Sequence, residues 1–241
     1  MAKSSRKINT PTRAENTRDK RQTNTALCFT LAEVKAHFTQ NLTAIRAQTA
    51  VADEMLKRGD RDEAEFIWRT QILYLESALD YYMHELTNYG MVQMFARRWP
   101  RTAGYAKIKL EIGAIDEGLA APGSAEWLVS YLSEAFGRDT LTNYPRIKDQ
   151  ADLLGFDIRA VMQTAFPLPK SAPIRSNPVG YGSEILSELC TRRNRIAHQT
   201  DRDPKNARQT PISGKYAADS INHIERLVNT LHKAAEAKDR A

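Results

Sequence analysis

Apolar residues recur every three or four positions in four long segments of the chain, which is the spacing of one face of an α-helix. In the second segment they form a stripe about six turns long. Because each helix has one apolar face, the four faces are buried best against each other, which predicts an all-α protein built on a four-helix bundle. The four stripes are Leu31, Val34, Phe38, Leu42 and Ile45; Trp68, Ile72, Leu75, Leu79, Tyr82 and Leu86; Ile185, Leu189 and Ile196; and Ala217, Ile221, Ile224, Val228, Leu231 and Ala235.

The first helix has a recognisable start. The sequence "TLAE" at 30–33 has the form of a capping box, with a hydroxyl at the N-cap and a glutamate three residues later. Ordered structure is therefore expected from about Thr30. The fourth helix is expected to follow Gly214, and the third to cover "GSEILSELCTRRNRIAHQ" at 182–199.

Shorter patterns lie between the second and third long helices. Residues 124–136 predict an amphipathic helix capped by Ser124, and 144–155 and 157–166 predict two further short helices. The alternating stretch Lys107–Ile112 fits either extended chain or entry into a helix. A Pro- and Gly-rich segment at 167–182 predicts a loop before the third long helix.

The formal net charge of +6 is concentrated at one end of the chain. Residues 1–26 contain seven Lys or Arg against two acidic residues, a charge of +5, which leaves the remainder near +1. Large apolar residues are almost absent from this segment, so we expect 1–26 to be a basic disordered tail and 27–241 to be one helical domain. A solubilising role for the tail is favoured over a weak RNA-binding arm.

Membrane, disulfide and metal signatures are not evident. No apolar run approaches the roughly 18–20 residues that span a bilayer, and we recognise no apolar secretory signal, so a cytoplasmic location without membrane insertion is expected. The two cysteines, Cys28 and Cys190, form neither a disulfide framework nor a CxxC metal motif. We therefore expect no cofactor and no metal.

The sequence "CTRRNRIAHQT" at 190–200 concentrates three arginines, an asparagine and a histidine. On a helix that advances about 100° per residue, with Ile185 at zero, Arg193 falls near 80° within the apolar stripe, whereas Asn194 and His198 fall near 180–220° on the polar side, one turn apart. A charge inside the stripe is costly unless it is paired. The second helix offers Glu76 or Asp80 as a partner; alternatively, the helix ends near Ile196 and turns Arg193 towards the same groove as His198.

Arg193, Asn194 and His198 suit chemistry on RNA. Histidine is the side chain best suited to transfer protons near neutral pH, and arginine binds phosphate through two N–H groups while negative charge develops on the oxygens. Together these residues can cleave a phosphodiester without a metal, with the ribose 2′-OH as internal nucleophile. The alternative interpretation of the same residues is a solvated helix end. The other histidines, His37, His84, His223 and His232, are isolated and are expected to be surface or packing residues.

The string "RRNRIAH", followed by a polar loop and a final amphipathic helix, resembles the HEPN superfamily, and more narrowly the RiboL-PSP type of HEPN ribonuclease. The motif of that family is R-x4–6-H, often with a polar residue after the arginine. Arg193, Asn194 and His198 match it, and Arg192 also satisfies the spacing. "SALDYYMHEL" at 77–86 and "DLLGF" at 152–156 are similar to stretches in members of the group.

The resemblance implies a HEPN-like four-helix bundle, with additional short helices inserted between the long second helix and the motif helix. It implies a homodimer whose two motifs meet in a composite active site, and a metal-independent endoribonuclease that leaves 2′,3′-cyclic phosphate and 5′-OH ends. His198 would be the acid/base, Arg193 would stabilise phosphate and Asn194 would assist. Arg192 and Arg195 would support RNA binding, and Glu76 or Asp80 would orient the arginine.

The resemblance also implies a toxin or phage-defence effector, with RNA as its ligand and an antitoxin or another defence-system protein as a further partner. A non-catalytic helical module that binds RNA or a protein is the alternative, because some HEPN domains keep the fold without cutting. The near-neutral charge of residues 27–241 is lower than expected for a nonspecific ribonuclease, which fits a narrow substrate range or use of the basic tail.

Overall fold

A computed structural model describes residues 28–137, 139–171 and 177–241, so the tail predicted for 1–26 lies outside the described residues. No strand occurs in these ranges, where a single antiparallel bridge joins Arg202 and Gln209. The all-α prediction is confirmed. The helices are α1 (Leu31–Arg58), α2 (Arg61–Phe95), α3 (Ala103–Ala106), α4 (Ile112–Ala120), α5 (Glu126–Phe136), α6 (Tyr144–Leu154), α7 (Ile158–Ala165), α8 (Pro178–Gln199) and α9 (Gly214–Asp239).

Helix α2 is the central element of the bundle. At 35 residues it is about 50 Å long. It packs against α1, α8 and α9, and α1 also packs against α9. The predicted apolar stripe of α2 is buried along its whole length; Ile72, Leu75 and Leu79 have no exposed surface. Burial of these stripes supplies the main stabilisation of the fold.

The short helices pack around this core. Helices α5 and α6 lie against α2, whereas α7 packs against both α8 and α9. The close approach of α7 and α8 depends on Gly182, since a Cβ atom there would lie 2.5 Å from Met162 Cε and 2.5 Å from the Phe166 ring. The short helices thus lie in the sequence between α2 and α8, as predicted. None of the described helices has the length and apolarity that crossing a membrane requires.

The predicted start of α1 is confirmed. Thr30 Oγ1 accepts a hydrogen bond from Glu33 N at 3.3 Å, and Glu33 Oε2 accepts one from Thr30 N at 2.7 Å. This is the reciprocal capping box. The helix ends at Gly59, whose φ of +88° is a left-handed conformation that glycine adopts without strain.

Two predicted boundaries were wrong. Helix α8 begins at Pro178 rather than Gly182, because Asn177 caps the Gly180 N–H and proline fits the first turn of a helix. The predicted loop at 167–182 therefore overlaps the first turn of α8. Helix α5 begins at Glu126 with Ala125 at the N-cap, although the Ser124 hydroxyl still accepts a hydrogen bond from Glu126 N.

The ambiguous stretch Lys107–Ile112 is resolved by the structure. Residues 108–111 have no regular structure, and α4 begins at Ile112. The paired short helices predicted for 144–155 and 157–166 are confirmed as α6 and α7.

Candidate functional site at the C-terminal end of α8

Helix α8 presents its motif residues on different sides. Leu186, Leu189 and Ile196 are buried in the bundle. Asn194 and His198 lie one turn apart on the opposite, exposed side, as the helical angles predicted. The structure therefore displays an amide and an imidazole together at the surface of the last two turns of α8.

Arg193 points into the bundle and is ion-paired. Its Nε lies 2.6 Å from Glu76 Oε2 of α2; the Glu76 side chain is 2% exposed and that of Arg193 is 30% exposed. The predicted pairing of Arg193 with Glu76 is thus present. Because nearly a third of the Arg193 side chain remains accessible, the buried carboxylate orients the guanidinium without removing it completely from solvent.

The neighbours of this ion pair fix its geometry. The Thr142 hydroxyl donates a hydrogen bond to Glu76 Oε1 at 2.8 Å, and Arg193 Nη1 donates one to Asn194 Oδ1 at 3.1 Å. Glu76, Arg193 and Asn194 therefore form a connected polar chain from the core to the surface. Thr142 was not among the predicted site residues, and no pattern around it marks it as a partner of Glu76.

Cys190 lies on α8 one turn before Asn194, beside the connected residues Glu76, Arg193 and Asn194. Burial raises the pKa of its thiol, and the Glu76 carboxylate raises it further. The thiol is therefore kept protonated at neutral pH and is not an activated nucleophile. The Asn194 amide approaches its Sγ only loosely, at 3.9 Å.

Asp80 occupies a different place from Glu76. Its Oδ1 accepts a hydrogen bond from the backbone N–H of Leu141 at 2.6 Å and lies 4.0 Å from His84 Nε2. Asp80 therefore fastens the segment before α6 to α2. Asp80, Glu76 and Arg193 nevertheless line one cleft of about 270 Å³, which also includes His84. We call this the Arg193 cleft.

Arg192 diverges from Arg193. Its Nη2 donates hydrogen bonds to Asp201 Oδ2 at 2.6 Å and to the carbonyl oxygens of Thr210 and Pro211 at 3.0 Å each. Its side chain is 11% exposed. The structure thus places Arg192 in a buried network that closes the loop between α8 and α9, apart from Arg193.

Asp201 is the centre of that network. It has no exposed surface, and Arg69 Nε of α2 also donates to its Oδ2, at 3.0 Å. Arg69 is held in addition by Glu65 Oε2 at 3.0 Å and by the carbonyl of Thr210 at 2.8 Å. The network fixes the chain immediately after His198. Sequence reasoning did not identify Arg69 or Asp201 as part of the site.

Arg195 also lies away from the Arg193 cleft. It is half-buried, and its Nε is buried without a hydrogen-bond partner in the part of the chain that the structure describes. Burial raises the pKa of the Tyr216 hydroxyl of α9, and the charges of Arg192 and Arg195 act in the opposite direction. The guanidinium carbon of Arg192 is 5.9 Å from the centroid of the Tyr216 ring. The motif arginines are therefore divided between two faces of α8.

His198 is exposed in the last turn of α8. Within residues 28–137, 139–171 and 177–241 its imidazole has no hydrogen-bond or ion-pair partner. The chain reverses just after it, where Thr200 and Asp201 take φ values of +48° and +59°. The backbone N–H of Asp201 donates to the carbonyl of Arg195 at 2.9 Å, which closes the helix end. His198 is thus a free imidazole on a fixed backbone.

Comparison with protein-family models, with curated proteins and with solved structures gave no significant match. Function must therefore be argued from the site.

Proposed function

We propose that the protein is a HEPN-type, metal-independent endoribonuclease that leaves 2′,3′-cyclic phosphate and 5′-OH ends. The observation that carries the proposal is the connected set at the end of α8. Arg193 is oriented by buried Glu76 and bonded to Asn194, and His198 is free on the next turn. An oriented cation and an accessible acid/base within two turns of one helix are the residue types that this reaction uses.

The proposed reaction is a transesterification followed by release of the leaving strand. A general base removes the proton of the ribose 2′-OH, and the resulting oxygen attacks the adjacent phosphorus. The bond from phosphorus to the 5′-oxygen then breaks, and a general acid protonates that oxygen. His198 carries one of the two proton transfers, while the Arg193 guanidinium stabilises the charge on the non-bridging oxygens.

A second copy of the chain would supply the other proton transfer. One His198 cannot be base and acid at once in a single step, so two motifs facing each other complete the site. Helix α2 offers a surface for this contact, since Phe66, Tyr74 and Tyr81 are 69%, 64% and 47% exposed. Tyr81 also lines the Arg193 cleft. Exposed aromatic residues along one helix, with Tyr81 at the Arg193 cleft, are typical of an interface.

The dimer can be tested separately from the chemistry. Replacing Tyr74 with glutamate introduces a charge at an exposed position, so the fold of one chain should be retained. We expect wild type to sediment as a dimer and Tyr74→Glu to be monomeric and inactive. A Tyr74→Glu monomer with full ribonuclease activity would contradict the composite site.

The cellular role follows from the resemblance alone. We propose a cytoplasmic toxin or phage-defence effector, with RNA as substrate and an antitoxin or another defence-system protein as partner. Expression of wild type should arrest growth of a bacterial host, and expression of His198→Ala should not. Equal growth with both proteins would contradict a toxin role.

One observation favours the alternative, a non-catalytic module that binds RNA or a protein. Arg193 already has a carboxylate partner, which reduces the charge available for phosphate, and no described residue orients His198. This alternative predicts RNA binding that weakens steeply with salt and no strand cleavage.

The experiment that tests the proposal is end analysis of RNA incubated with the protein in EDTA. We expect wild type to produce 2′,3′-cyclic phosphate ends and Asn194→Ala to cleave more slowly, because Asn194 would no longer hold the Arg193 guanidinium. Ends with a 3′-OH and a 5′-phosphate from wild type would exclude internal 2′-OH attack, because that attack breaks the bond from phosphorus to the 5′-oxygen.

A further inference from the structure

A larger cleft, of about 780 Å³, lies between α2 and α5 and is also lined by Cys28–Thr30. We call it the α2–α5 cleft. Its volume is in the range of sites that take a nucleotide-sized ligand. None of the motif residues of α8 belongs to its lining.

The α2–α5 cleft adjoins the Arg193 cleft. Tyr81, His84 and Gly137 line both. Glu76 lines the Arg193 cleft and Glu85 lines the α2–α5 cleft. The two residues are nine positions apart on α2, which is about 13 Å along the helix axis. An RNA strand whose phosphate lies at Arg193 can therefore place a neighbouring base in the α2–α5 cleft.

Glu85 is an unusual group in the wall of the α2–α5 cleft. It is 7% exposed, and its Oε1 lies 2.8 Å from His37 Nδ1. Its Oε2 is buried and has no hydrogen-bond partner among the described residues. The Tyr81 hydroxyl lies beside this carboxyl and acts to lower its pKa, but no hydrogen bond of good geometry joins it to Oε2. Because Tyr81 is half-exposed, rotation of its side chain gives a ligand access to this carboxylate.

Such an oxygen favours a ligand that donates a hydrogen bond. A buried acceptor without a donor costs free energy, which a ligand N–H would recover. Burial raises the pKa of Glu85, while His37 and Tyr81 act in the opposite direction. In its ionised form this carboxylate can only accept hydrogen bonds, so the partner that Oε2 lacks is a donor.

Aromatic rings form the other wall. Tyr89 and Trp99 pack edge to face with centroids 5.7 Å apart. Both are held by Asp239, which accepts hydrogen bonds from Tyr89 Oη at 2.7 Å and from Trp99 Nε1 at 2.8 Å. Trp99 is 2% exposed, so it supports Tyr89 from the interior, and the half-buried Tyr89 ring is the one on which a nucleobase can stack.

We propose that the α2–α5 cleft binds a guanine base of the RNA substrate, with Glu85 accepting N–H groups of its Watson–Crick edge. Guanine presents N1–H and the N2 amino group side by side, both donors. Adenine presents N1, an acceptor, in the corresponding position, so a carboxylate discriminates against it. The proposal rests on RNA being the substrate, and it assigns the specificity of that ribonuclease to a base near the scissile phosphate.

The test is calorimetric titration of the full chain with guanosine, inosine and adenosine 5′-monophosphates. We expect guanosine monophosphate to bind at least about 10-fold more tightly than adenosine monophosphate, the worth of one charge-assisted hydrogen bond. Inosine monophosphate, which lacks only the N2 amino group, should lie between them. Equal affinities for the guanine and adenine nucleotides, or no binding of either, would overturn the proposal.

Variants assign the preference to Glu85. Glu85→Gln keeps the shape of the side chain and should lose the guanine preference, while Glu117→Gln on the exposed face of α4 should keep it. A guanine preference undiminished in Glu85→Gln would overturn the assignment. If that variant does not fold, the wild-type nucleotide series still decides. His198→Ala should bind guanosine monophosphate like wild type, so absence of cleavage and absence of base recognition are distinguishable.

Discussion

Replacing Asp201 with asparagine is expected to destabilise the protein strongly, although residue and replacement have the same size. Asp201 has no exposed surface and accepts hydrogen bonds from two arginines, Arg192 at 2.6 Å and Arg69 at 3.0 Å. The substitution leaves two nearly buried guanidinium groups without the carboxylate between them. A positive charge that loses its partner in the interior is not resolvated, so its desolvation cost is no longer offset.

The magnitude can be worked from the remaining contacts. Removing one partner of a buried ion pair costs about 3–5 kcal/mol. Arg69 keeps Glu65 at 3.0 Å, and Arg192 keeps two backbone carbonyls, so the lower end of this range applies. A loss of about 3 kcal/mol lowers the melting temperature of a protein of this size by roughly 6–12 °C.

The assay is thermal and urea unfolding followed by circular dichroism, with Asp219→Asn as matched control. Asp219 is 51% exposed and pairs with Lys215 one turn away, so its loss should cost less than about 1 kcal/mol. The reasoning is refuted if Asp201→Asn unfolds together with wild type or with Asp219→Asn.

Three further predictions concern other parts of the fold. Arg193→Ala should lower the free energy of unfolding by about 2–3 kcal/mol, because Glu76 would stay buried with its charge unpaired. The loss is smaller than for a fully buried pair, since Arg193 is already partly solvated. A urea melt identical to that of wild type would contradict this. Gly182→Ala should lower the free energy of unfolding by about 1–3 kcal/mol through overpacking. Gly113→Ala, where a Cβ meets nothing within 4 Å, should be neutral or slightly stabilising. Equal melting temperatures for the two variants would refute the packing argument. Burial lowers the pKa of His232 below its ordinary value of 6.5, so the contribution of its neutral ring to stability is complete above that pH. This contribution is lost as the pH falls below 6.5, because the unfolded chain takes up a proton there before the folded chain does. His232→Gln should flatten this loss of stability, and an unchanged pH profile would contradict the argument.

The long helices were predictable because the spacing of apolar residues within each helix is enough to identify its buried face. The stripe of Trp68, Ile72 and Leu79 needs no knowledge of distant residues, and neither does the capping box at Thr30. The same angular reasoning placed Arg193 among apolar neighbours and led to Glu76, which the structure pairs with it.

The arginines of α8 do not act together, although they are clustered in the sequence. Arg192 and Arg193 are adjacent in sequence, but about 100° of helical rotation separates them. One therefore reaches Asp201 and the other Glu76. Adjacency in the motif string did not indicate this division.

Contacts between distant segments were not predictable from local patterns. Arg69 and Asp201 are 132 residues apart. The lining of the α2–α5 cleft comes from α2 and α5 with the chain that follows each of them, from the chain before α1, and from Asp239 at the end of α9. Glu85 appears in the sequence as one polar residue on an amphipathic helix. Only the tertiary packing leaves its Oε2 without a partner.

The most direct test of the central claim compares wild type with His198→Ala and Gln199→Ala on a mixed RNA substrate in EDTA. His198 and its neighbour Gln199 are both exposed, so neither substitution should alter the fold. The account predicts cyclic-phosphate products from wild type and Gln199→Ala, and none from His198→Ala. Cleavage by His198→Ala at the wild-type rate would contradict it.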